Sequence, residues 1–414
     1  MAVDANVIIF ARIREEIAAG QSVSSAIDIG YKKALSAILD GQITTFIAAL
    51  VLMILGSGTV KGFAYTLMIS IILSMFTALV VAKYFMRALF AIGVKNEKFY
   101  GRAKERKPIR FIKNRVIYFA ISIIVIAVGI GSLIVNTASG KKALNYSLEF
   151  MGGTSTTVDM GKAYTLDELE KDVVPVIAKA INMSESEIQP TTVSGTNNIV
   201  LKTSLLSLEQ SKSLEKVLSE KFGVEQKDIQ SQGISSTISG EMRRDAIVAV
   251  IVACIFMLIY IRFRFKDLRF ATSAIIALAH DVLVVLTAYA LIRISVGGTF
   301  IACMLTIVGY SINDTIVIFD RIRENMRGVR KITKENLAEI ADRSLTQTLS
   351  RSINTSITTF IMVLLLYILG VASIREFALP LMVGLVSGSY SSIFIATELW
   401  YIMKLHLGKD KITE

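Results

Sequence analysis

An Asn-Asp pair inside a long apolar segment is the first feature of this sequence that could do chemistry. Asn313 and Asp314 lie within the segment 299–319. A charged side chain inside a bilayer is costly and is by default a candidate for a function. The small or polar neighbours that leave room for water or an ion are Gly309, Ser311 and Thr315. We expect Asp314 to bind or pass a proton or a small cation; the alternative is a carboxylate that is only hydrogen-bonded across a pair of helices.

Three more charged residues lie in or beside apolar segments. Arg351 begins one of them. An arginine opposite a carboxylate favours the charged form of that carboxylate, so protonation of the carboxylate would be coupled to movement of the arginine. A basic residue at the membrane surface is the ordinary alternative. Asp281 lies midway through 270–292 beside His280, where a proton relay and simple packing fit equally well. Glu398 is expected at the membrane surface.

Other kinds of chemistry find no support in the sequence. The two cysteines, Cys254 and Cys303, sit in apolar runs, so neither a disulfide framework nor a Cys-rich metal site is expected. Two histidines make a zinc centre equally unexpected. No GxxxxGK[ST] motif for ATP and no nucleophile-base pair is present. We expect no metal, no cofactor and no enzyme activity.

Long apolar helices must position these charges, and the composition supplies them. Of the 414 residues, 53% are hydrophobic and 19% charged, which does not suit a water-soluble globule. A spanning helix needs about 20 mostly apolar residues. Eight segments qualify, near 42–56, 63–86, 115–136, 245–261, 270–292, 299–319, 353–370 and 377–403. A ninth run, Val3–Ala11, reads as the second half of a spanning helix whose first half is absent.

Basic residues indicate the orientation of these spans. Residues 83–115 carry eleven Lys or Arg against two acids, 321–351 carry eight against four, and 262–269 add four more. The positive-inside rule places these segments in the cytoplasm, together with the C-terminus. Residues 137–243, with eleven basic and fourteen acidic residues, then lie outside. The net charge of +11 is therefore interpreted as the excess of basic residues in the cytoplasmic segments of a membrane protein and not as a surface that binds nucleic acid.

The outside segment is the one predicted soluble domain. Its pattern predicts a strand at 147–160, a helix at 165–181, strands at 188–193 and 199–203, a helix at 208–222 and a strand at 228–234. The order βαββαβ suits a ferredoxin-like sandwich. Pro175 is expected to kink or split the first helix. Gly152 and Gly153 predict a bulge or a close backbone approach.

The membrane part contains an internal repeat. The residues IFARIRE at 9–15 recur as IFDRIRE at 318–324, an offset of 309. QITTFIAALVLMILG at 42–56 recurs as SITTFIMVLLLYILG at 356–370, an offset of 314. The chain thus holds two related membrane halves in parallel topology. Asp4 aligns with Asn313, so the halves could present carboxylates from adjacent positions to a shared interface, or Asp4 could lie at a frayed end.

These repeated residues resemble the SecD and SecF protein-export membrane proteins. The resemblance also rests on VDANV at 3–7, FMGGT at 150–154, RFRFKD at 262–267, His280-Asp281 and Asn313-Asp314. Residues 110–405 look like a whole SecF, and residues 1 to about 90 look like the last three spans of a SecD. The family belongs to the resistance-nodulation-division superfamily, and the acid of its Asn-Asp pair is implicated in proton movement.

The resemblance implies an α-helical polytopic membrane protein with an inserted α+β ferredoxin-like extracytoplasmic domain. The expected parts are a SecD-like fragment at 1–90, a basic cytoplasmic linker at 91–114, a first SecF-like span at 115–136, the outside domain at 137–243, a five-span bundle at 244–405 and a cytoplasmic tail at 406–414. The expected ion-translocation residues are Asp314, Asn313, Arg351, Asp4 and Asp281, with Gly152 and Gly153 as the motif of the outside domain.

The expected function is that of an auxiliary subunit of the Sec translocase in the bacterial cytoplasmic membrane, which uses a proton or sodium gradient to assist late export after SecA-driven translocation. The implied partners are the SecYEG channel, SecA, further Sec subunits, the translocating preprotein and a separate SecD polypeptide, without nucleic acid. The alternatives are a small-molecule or lipid exporter of the same superfamily and a non-transporting scaffold for the translocase.

Overall fold

The computed structural model describes most of the chain. The described residues are 2–56, 58–101, 107–140, 142–193, 196–265, 267–327, 329, 333–370 and 372–406. Residues 102–106 of the predicted linker, Lys266 of the predicted short link, and the predicted tail beyond 406 lie outside them. The chain divides into two compact units, residues 1–145 with 248–414, and residues 146–247.

The first unit is a bundle of long helices. Its N-terminal members are α1 (Ala2–Ala18), α2 (Val23–Leu55), α3 (Gly58–Phe76), α4 (Ala82–Ala91), the single turn α5 (Glu97–Tyr100) and α6 (Arg115–Ala138). A π-helical turn, Thr77–Val81, joins α3 to α4, and a 3-10 turn, Ile112–Asn114, precedes α6. Ser22 caps α2 by accepting a hydrogen bond from the Ser25 amide.

The second unit contains helices and a sheet. In chain order the elements are the two-residue strand β1 (Asn145–Tyr146), α7 (Leu148–Met151), β2 (Gly153–Asp159), α8 (Leu166–Glu168), a π-helical turn (Leu169–Val173), α9 (Val174–Ile181), β3 (Gln189–Thr192), β4 (Asn198–Thr203), α10 (Leu208–Phe222) and β5 (Ile229–Ile234). Four strands form an antiparallel sheet in the order β3-β4-β2-β5. Its inward side chains, such as Val158 and Leu201, share a core with Ile177 and Leu218 of the helices.

The remaining helices complete the bundle. They are α11 (Ser236–Arg264), α12 (Leu268–Ile292), α13 (Gly298–Met326), α14 (Lys334–Leu369), α15 (Ala372–Ser391) and α16 (Thr397–His406), with the two-residue strand β6 (Ser295–Val296) before α13. A π-helical turn, Ser392–Ala396, joins α15 to α16. Phe265, Phe270, Phe319 and Trp400 are buried together, and the Phe270 and Trp400 rings stack with centroids 5.2 Å apart.

The eight predicted spans are confirmed as helices of spanning length and composition. Two of them begin far before their apolar segments: α2 begins at Val23, and α14 begins at Lys334. The short ninth run is also helical, as the start of α1. Because tertiary contacts stabilise helix well past an apolar run, hydropathy marks where a span lies but not where its helix ends.

One strand was predicted too long. The segment 147–160 contains a helical turn, Leu148–Met151, before β2 begins at Gly153. Gly152 and Gly153 both have positive φ, 71° and 114°, and this left-handed backbone separates turn from strand. The predicted effect of Pro175 is confirmed, because the helix is split by a π-helical turn directly before α9.

A candidate ion site between two helical repeats

Helix α13 is the most buried of the eight candidate spans and contacts α2, α3, α12, α14 and α15. It meets α2 through small residues. A Cβ added at Gly41 would lie 2.1 Å from Asn313 Oδ1, and a Cβ added at Gly309 would lie 3.0 Å from Thr45 Oγ1. Glycine at these two positions lets the backbones approach closely, as small residues do between membrane helices. Asn313 therefore faces the α2 helix of the first repeat.

Asp314, the next residue, faces a different neighbour. Its side chain is 7% exposed and interacts electrostatically with Arg351 of α14 and Asp4 of α1. Asp314 Oδ2 has no hydrogen-bond partner among the described residues. A buried carboxylate oxygen without a donor is costly to leave in that state. The site is therefore chemically suited to receive a proton or a small cation.

Asp4 lies on the opposite side of this site. It is 4% exposed and accepts a hydrogen bond of 3.4 Å from Thr359 Oγ1 of α14. The two repeats thus cross: Asp4 of the first repeat faces α14 of the second, and its counterpart Asn313 of the second faces α2 of the first. Asp314, Asp4 and Arg351, which the sequence singled out, are brought together at one interface between the repeats.

Asp281 belongs to a separate group. Its carboxylate is fully buried and accepts hydrogen bonds from three serine hydroxyls, of Ser311 at 2.6 Å and of Ser387 and Ser391 at 2.7 Å. His280 Nδ1 lies 3.1 Å from Asp281 Oδ1. Unlike Asp314, Asp281 has donors on both oxygens. The arrangement suits a group that holds α12, α13 and α15 together.

A polar cluster around Arg264 was missed by sequence reasoning. Arg264 Nε donates to Asp40 Oδ2 at 2.5 Å, and its Nη2 donates to Asp320 Oδ2 at 2.9 Å. Tyr260 Oη donates to Asp40 Oδ1 at 2.7 Å. Asp40 comes from α2 and the other residues from α11 and α13. The available signal was an acid, Asp40, within the polar stretch before an apolar run.

A second missed cluster consists of residues from the repeated motif itself. Arg12 and Glu15 of α1 meet their repeat counterparts Arg321 and Glu324 of α13. The motif was used only as evidence for the repeat. The charged residues of the two copies of the motif pair with one another although they are 306 to 312 positions apart in the sequence. No local signal in the sequence predicts that pairing.

Glu398, predicted at the membrane surface, is enclosed by other parts of the protein. Its side chain is fully buried, and neither carboxylate oxygen has a hydrogen-bond partner within the described part of the chain. Helix α16, which carries it, packs against α12 and α14. Position near the end of an apolar segment therefore did not reveal this burial, because it depends on the helices that pack against α16.

The glycine pair makes the predicted close backbone approach. A Cβ added at Gly153 would lie 2.1 Å from the Thr203 carbonyl oxygen on β4. A Cβ at Gly152 would lie 3.0 Å from Ser239 Oγ. Among the residues that the structure describes, no group of three or more His, Cys, Asp or Glu side chains is arranged to hold a metal ion.

Within the described residues, eight apolar helices of spanning length with carboxylates buried between them indicate a multi-pass membrane protein. Residues 1–91 and 213–406 match the family described as "Protein export membrane protein SecD/SecF, C-terminal". The chain belongs to the SecD/SecF family, as the repeated motifs implied.

Named relatives support the same assignment. The protein translocase subunit SecDF of Bacillus subtilis (strain 168) is 34% identical over an alignment of 433 positions that covers 99% of this chain and 56% of that protein. The subunit SecF of Alicyclobacillus acidocaldarius is 44% identical over 212 residues, and this match covers 50% of this chain and 68% of that protein. The crystal structure of SecDF from Thermus thermophilus, a translocon-associated membrane protein, matches with a TM-score of 0.85 and 33% identity over 98% of this chain and 53% of that one. The chain therefore spans about half the length of its SecDF relatives.

Proposed function

We propose that the protein is an auxiliary subunit of the Sec translocase that uses the proton or sodium gradient to assist late steps of export, after SecA-driven translocation. The observation that carries this proposal is the unpartnered oxygen of Asp314, buried between Arg351 and Asp4 where the two repeats meet. The proposed partners are the SecYEG channel, SecA, further Sec subunits and the translocating preprotein.

The proposed mechanism begins when a cation neutralises Asp314. Arg351 then loses its attraction to that carboxylate and shifts, and the repeats move against one another because Asp4 and Asn313 each face the helix of the other repeat. Each unit charge that crosses a potential of 100 mV releases about 2.3 kcal/mol, which biases a two-state equilibrium about fiftyfold. This energy is sufficient to drive a movement of the outside domain.

The proposed orientation puts the basic ends of the helices and the C-terminus in the cytoplasm. We further propose the domain limits 1–90, 91–114, 115–136, 137–243, 244–405 and 406–414. The outside domain is proposed to be a ferredoxin-like sandwich. Two observations support this. Along the chain, its four sheet strands and its helical elements follow the order βαββαβ, and in the antiparallel sheet the strands lie in the order β3-β4-β2-β5.

The test of this function is the export rate in cells whose protein carries Asp314→Asn. The variant keeps the size of the side chain but cannot carry the ion, so the gradient-dependent part of export is expected to disappear. Asp28→Asn, which alters an exposed ion pair with Arg87, is the matched control and should export normally. Wild-type export in the Asp314→Asn cells would exclude the proposed role. Separate collapse of the proton and the sodium gradient identifies the ion.

A separate SecD-like polypeptide is proposed to cover the open face of the first repeat. Phe10 and Phe85 are 38% and 65% exposed, whereas Phe319, the counterpart of Phe10 in the second repeat, is fully buried. We expect the part of Bacillus subtilis SecDF that this chain does not match, when co-expressed with a tag, to co-purify with the chain. Phe10→Asp should abolish co-purification, and Phe263→Asp, at an exposed position of α11, should not.

A further inference from the structure

The basic ends of α1 and α13 are joined by four charges that are equivalent in pairs. Arg12 corresponds to Arg321 and Glu15 to Glu324, at the repeat offset of 309. Each arginine binds the glutamate three residues further along its own helix, with distances of 2.7 Å for Arg12 and 3.2 Å for Arg321. Each arginine also binds the glutamate of the other repeat, Arg12 to Glu324 at 3.5 Å and Arg321 to Glu15. We name these four residues the charge quartet.

The charge quartet is not simply a surface network. The side chains of Arg12 and Arg321 are only 20% and 13% exposed, and the glutamates form the more open side. Exposed ion pairs contribute little to stability, so stability alone does not account for a closed ring that connects two helices. The two crossing pairs are the ones that fasten one repeat to the other.

The quartet also acts on Arg351. Helix α14, which carries Arg351, packs against both α1 and α13, so Arg351 lies within electrostatic range of Asp314, of Glu15 and of both arginines of the quartet. Arg321 lies seven residues after Asp314 on α13, about 10 Å further along the helix axis. Arg351 is therefore subject to attraction from two carboxylates at different heights, Asp314 and Glu15.

We propose that Glu15 is a positioning residue for ion translocation: when Asp314 is neutral, Glu15 takes Arg351 in place of Arg321, and the charge quartet opens. Arg321 keeps Glu324 through the pair within its own helix, so no arginine of the quartet is left without a carboxylate. In the present structure the quartet is closed, and the basic ends of α1 and α13 are fastened together. This inference rests on the proposed role of Asp314.

A charge-reversal cycle tests the crossing pairs. The variant R12E/E15R keeps the pair inside α1 but places like charges opposite Arg321 and Glu324, so the quartet should open. The fourfold variant R12E/E15R/R321E/E324R restores every pair and should close it again. The matched control is D28R/R87D, which reverses an ion pair between α2 and α4, outside the quartet.

The measurement is the distance between spin labels on the full chain in lipid vesicles. Cysteines at Ala19 and Arg327, exposed just beyond α1 and α13, carry the labels after Cys254 and Cys303 are replaced by serine. We expect one short distance for the parent chain, the control and the fourfold variant, and an added longer distance for R12E/E15R. A fourfold variant that stays open would overturn the crossing-pair arrangement.

The coupling is tested with Asp314→Asn in the same labelled chain. The neutral amide should add the longer distance. E15Q breaks the Arg321–Glu15 pair by itself, so it should show the same distances with either residue at position 314, whereas E15D should retain the response. An unchanged distance in Asp314→Asn contradicts the exchange at Glu15, even if that variant has lost export. Conversely, normal export in Asp314→Asn would refute the proposed function. If the charge-reversal variants then still behaved as expected, the quartet would only hold α1 and α13 together. The failure of the proposed function and the failure of the exchange at Glu15 are therefore distinguishable.

Discussion

Arg264 on α11 and Asp40 on α2 form an ion pair, with Nε 2.5 Å from Oδ2, that fastens the first repeat to the rest of the bundle. The side chains are 16% and 8% exposed, and Asp320 shares the same guanidinium. Arg264 is thus shared by two poorly hydrated carboxylates, and Asp320 is also bound by Arg323 at 3.0 Å. The pair is a point where a single substitution should have a large effect.

Arg264→Ala should lower the free energy of unfolding by about 3 kcal/mol, because removing one partner leaves buried charge uncompensated. Thermal unfolding of the purified chain in detergent measures the change. Arg87→Ala is the control, since Arg87 binds Asp28 at the same distance with both side chains about half exposed, and a change below about 1 kcal/mol is expected there. Equal effects of the two substitutions would contradict the importance of the Arg264 cluster.

The two buried acids Asp281 and Asp314 should respond oppositely to the same isosteric change. Asp281→Asn weakens hydrogen bonds from three serine hydroxyls and should cost at least about 2 kcal/mol of stability. Asp314→Asn removes a buried charge whose Oδ2 has no donor within the described residues, and in the proposed exchange Arg351 takes Glu15 in its place, so stability should stay level or rise. Unfolding of both variants under identical conditions decides this; a larger loss for Asp314→Asn refutes it.

Gly153→Ala should disrupt the sheet of the second unit. The added Cβ would lie 2.1 Å from the Thr203 backbone oxygen, at a φ of 114° that disfavours any side chain. We expect a loss of several kcal/mol, on the order of 3, seen as rapid proteolysis between residues 146 and 247. Gly161→Ala has a φ of 69° and open space, so its loss should be about 1 kcal/mol. Equal protease resistance of the two variants would falsify the steric argument.

The start of α8 should be sensitive to acid. Hydrogen bonds from the Thr165 backbone amide and hydroxyl lower the pKa of Glu168 below its usual value. A pKa lowered by folding means that the stabilisation is present above the unfolded value and is lost as the pH falls through the folded one. Hydrogen exchange of residues 165–173, corrected for the intrinsic pH dependence, should therefore accelerate in acid. Glu168→Gln should remove the difference between neutral and acidic pH.

Hydropathy and the repeat predicted much of the fold, because the physical causes are local. An apolar run of about 20 residues must be buried in lipid or protein wherever it lies, so eight spans could be located. Ser207 and Gln210 form the capping box that starts α10, and Gly223 with a φ of 69° ends it. By contrast, Leu148–Met151 was predicted as strand, since its neighbours favour strand and only the two glycines reverse the chain.

The candidate site was only partly predictable. Asp314 could be named because a charge in an apolar segment stands out against its neighbours. The charge quartet and the Arg264 cluster could not, since Arg12 and Asp40 sit among many charges at helix ends and acquire their partners only in the folded bundle. The burial of Glu398 was not predicted for the same reason, because it depends on the helices that pack against α16 in the folded bundle.

The π-helical turns have a consequence for the ancestry of the two repeats. One begins 21 residues after Gly56 and the other 22 residues after Gly370, each directly before the last helix of its repeat. Such turns are rare and strained, and a diverging copy would readily lose one through a single deletion. Both repeats carry the turn within one residue of the same place, so we infer that the irregularity is older than the duplication. The ancestral hairpin would then already have contained a π-helical turn before the helix that became α4 in one repeat and α16 in the other.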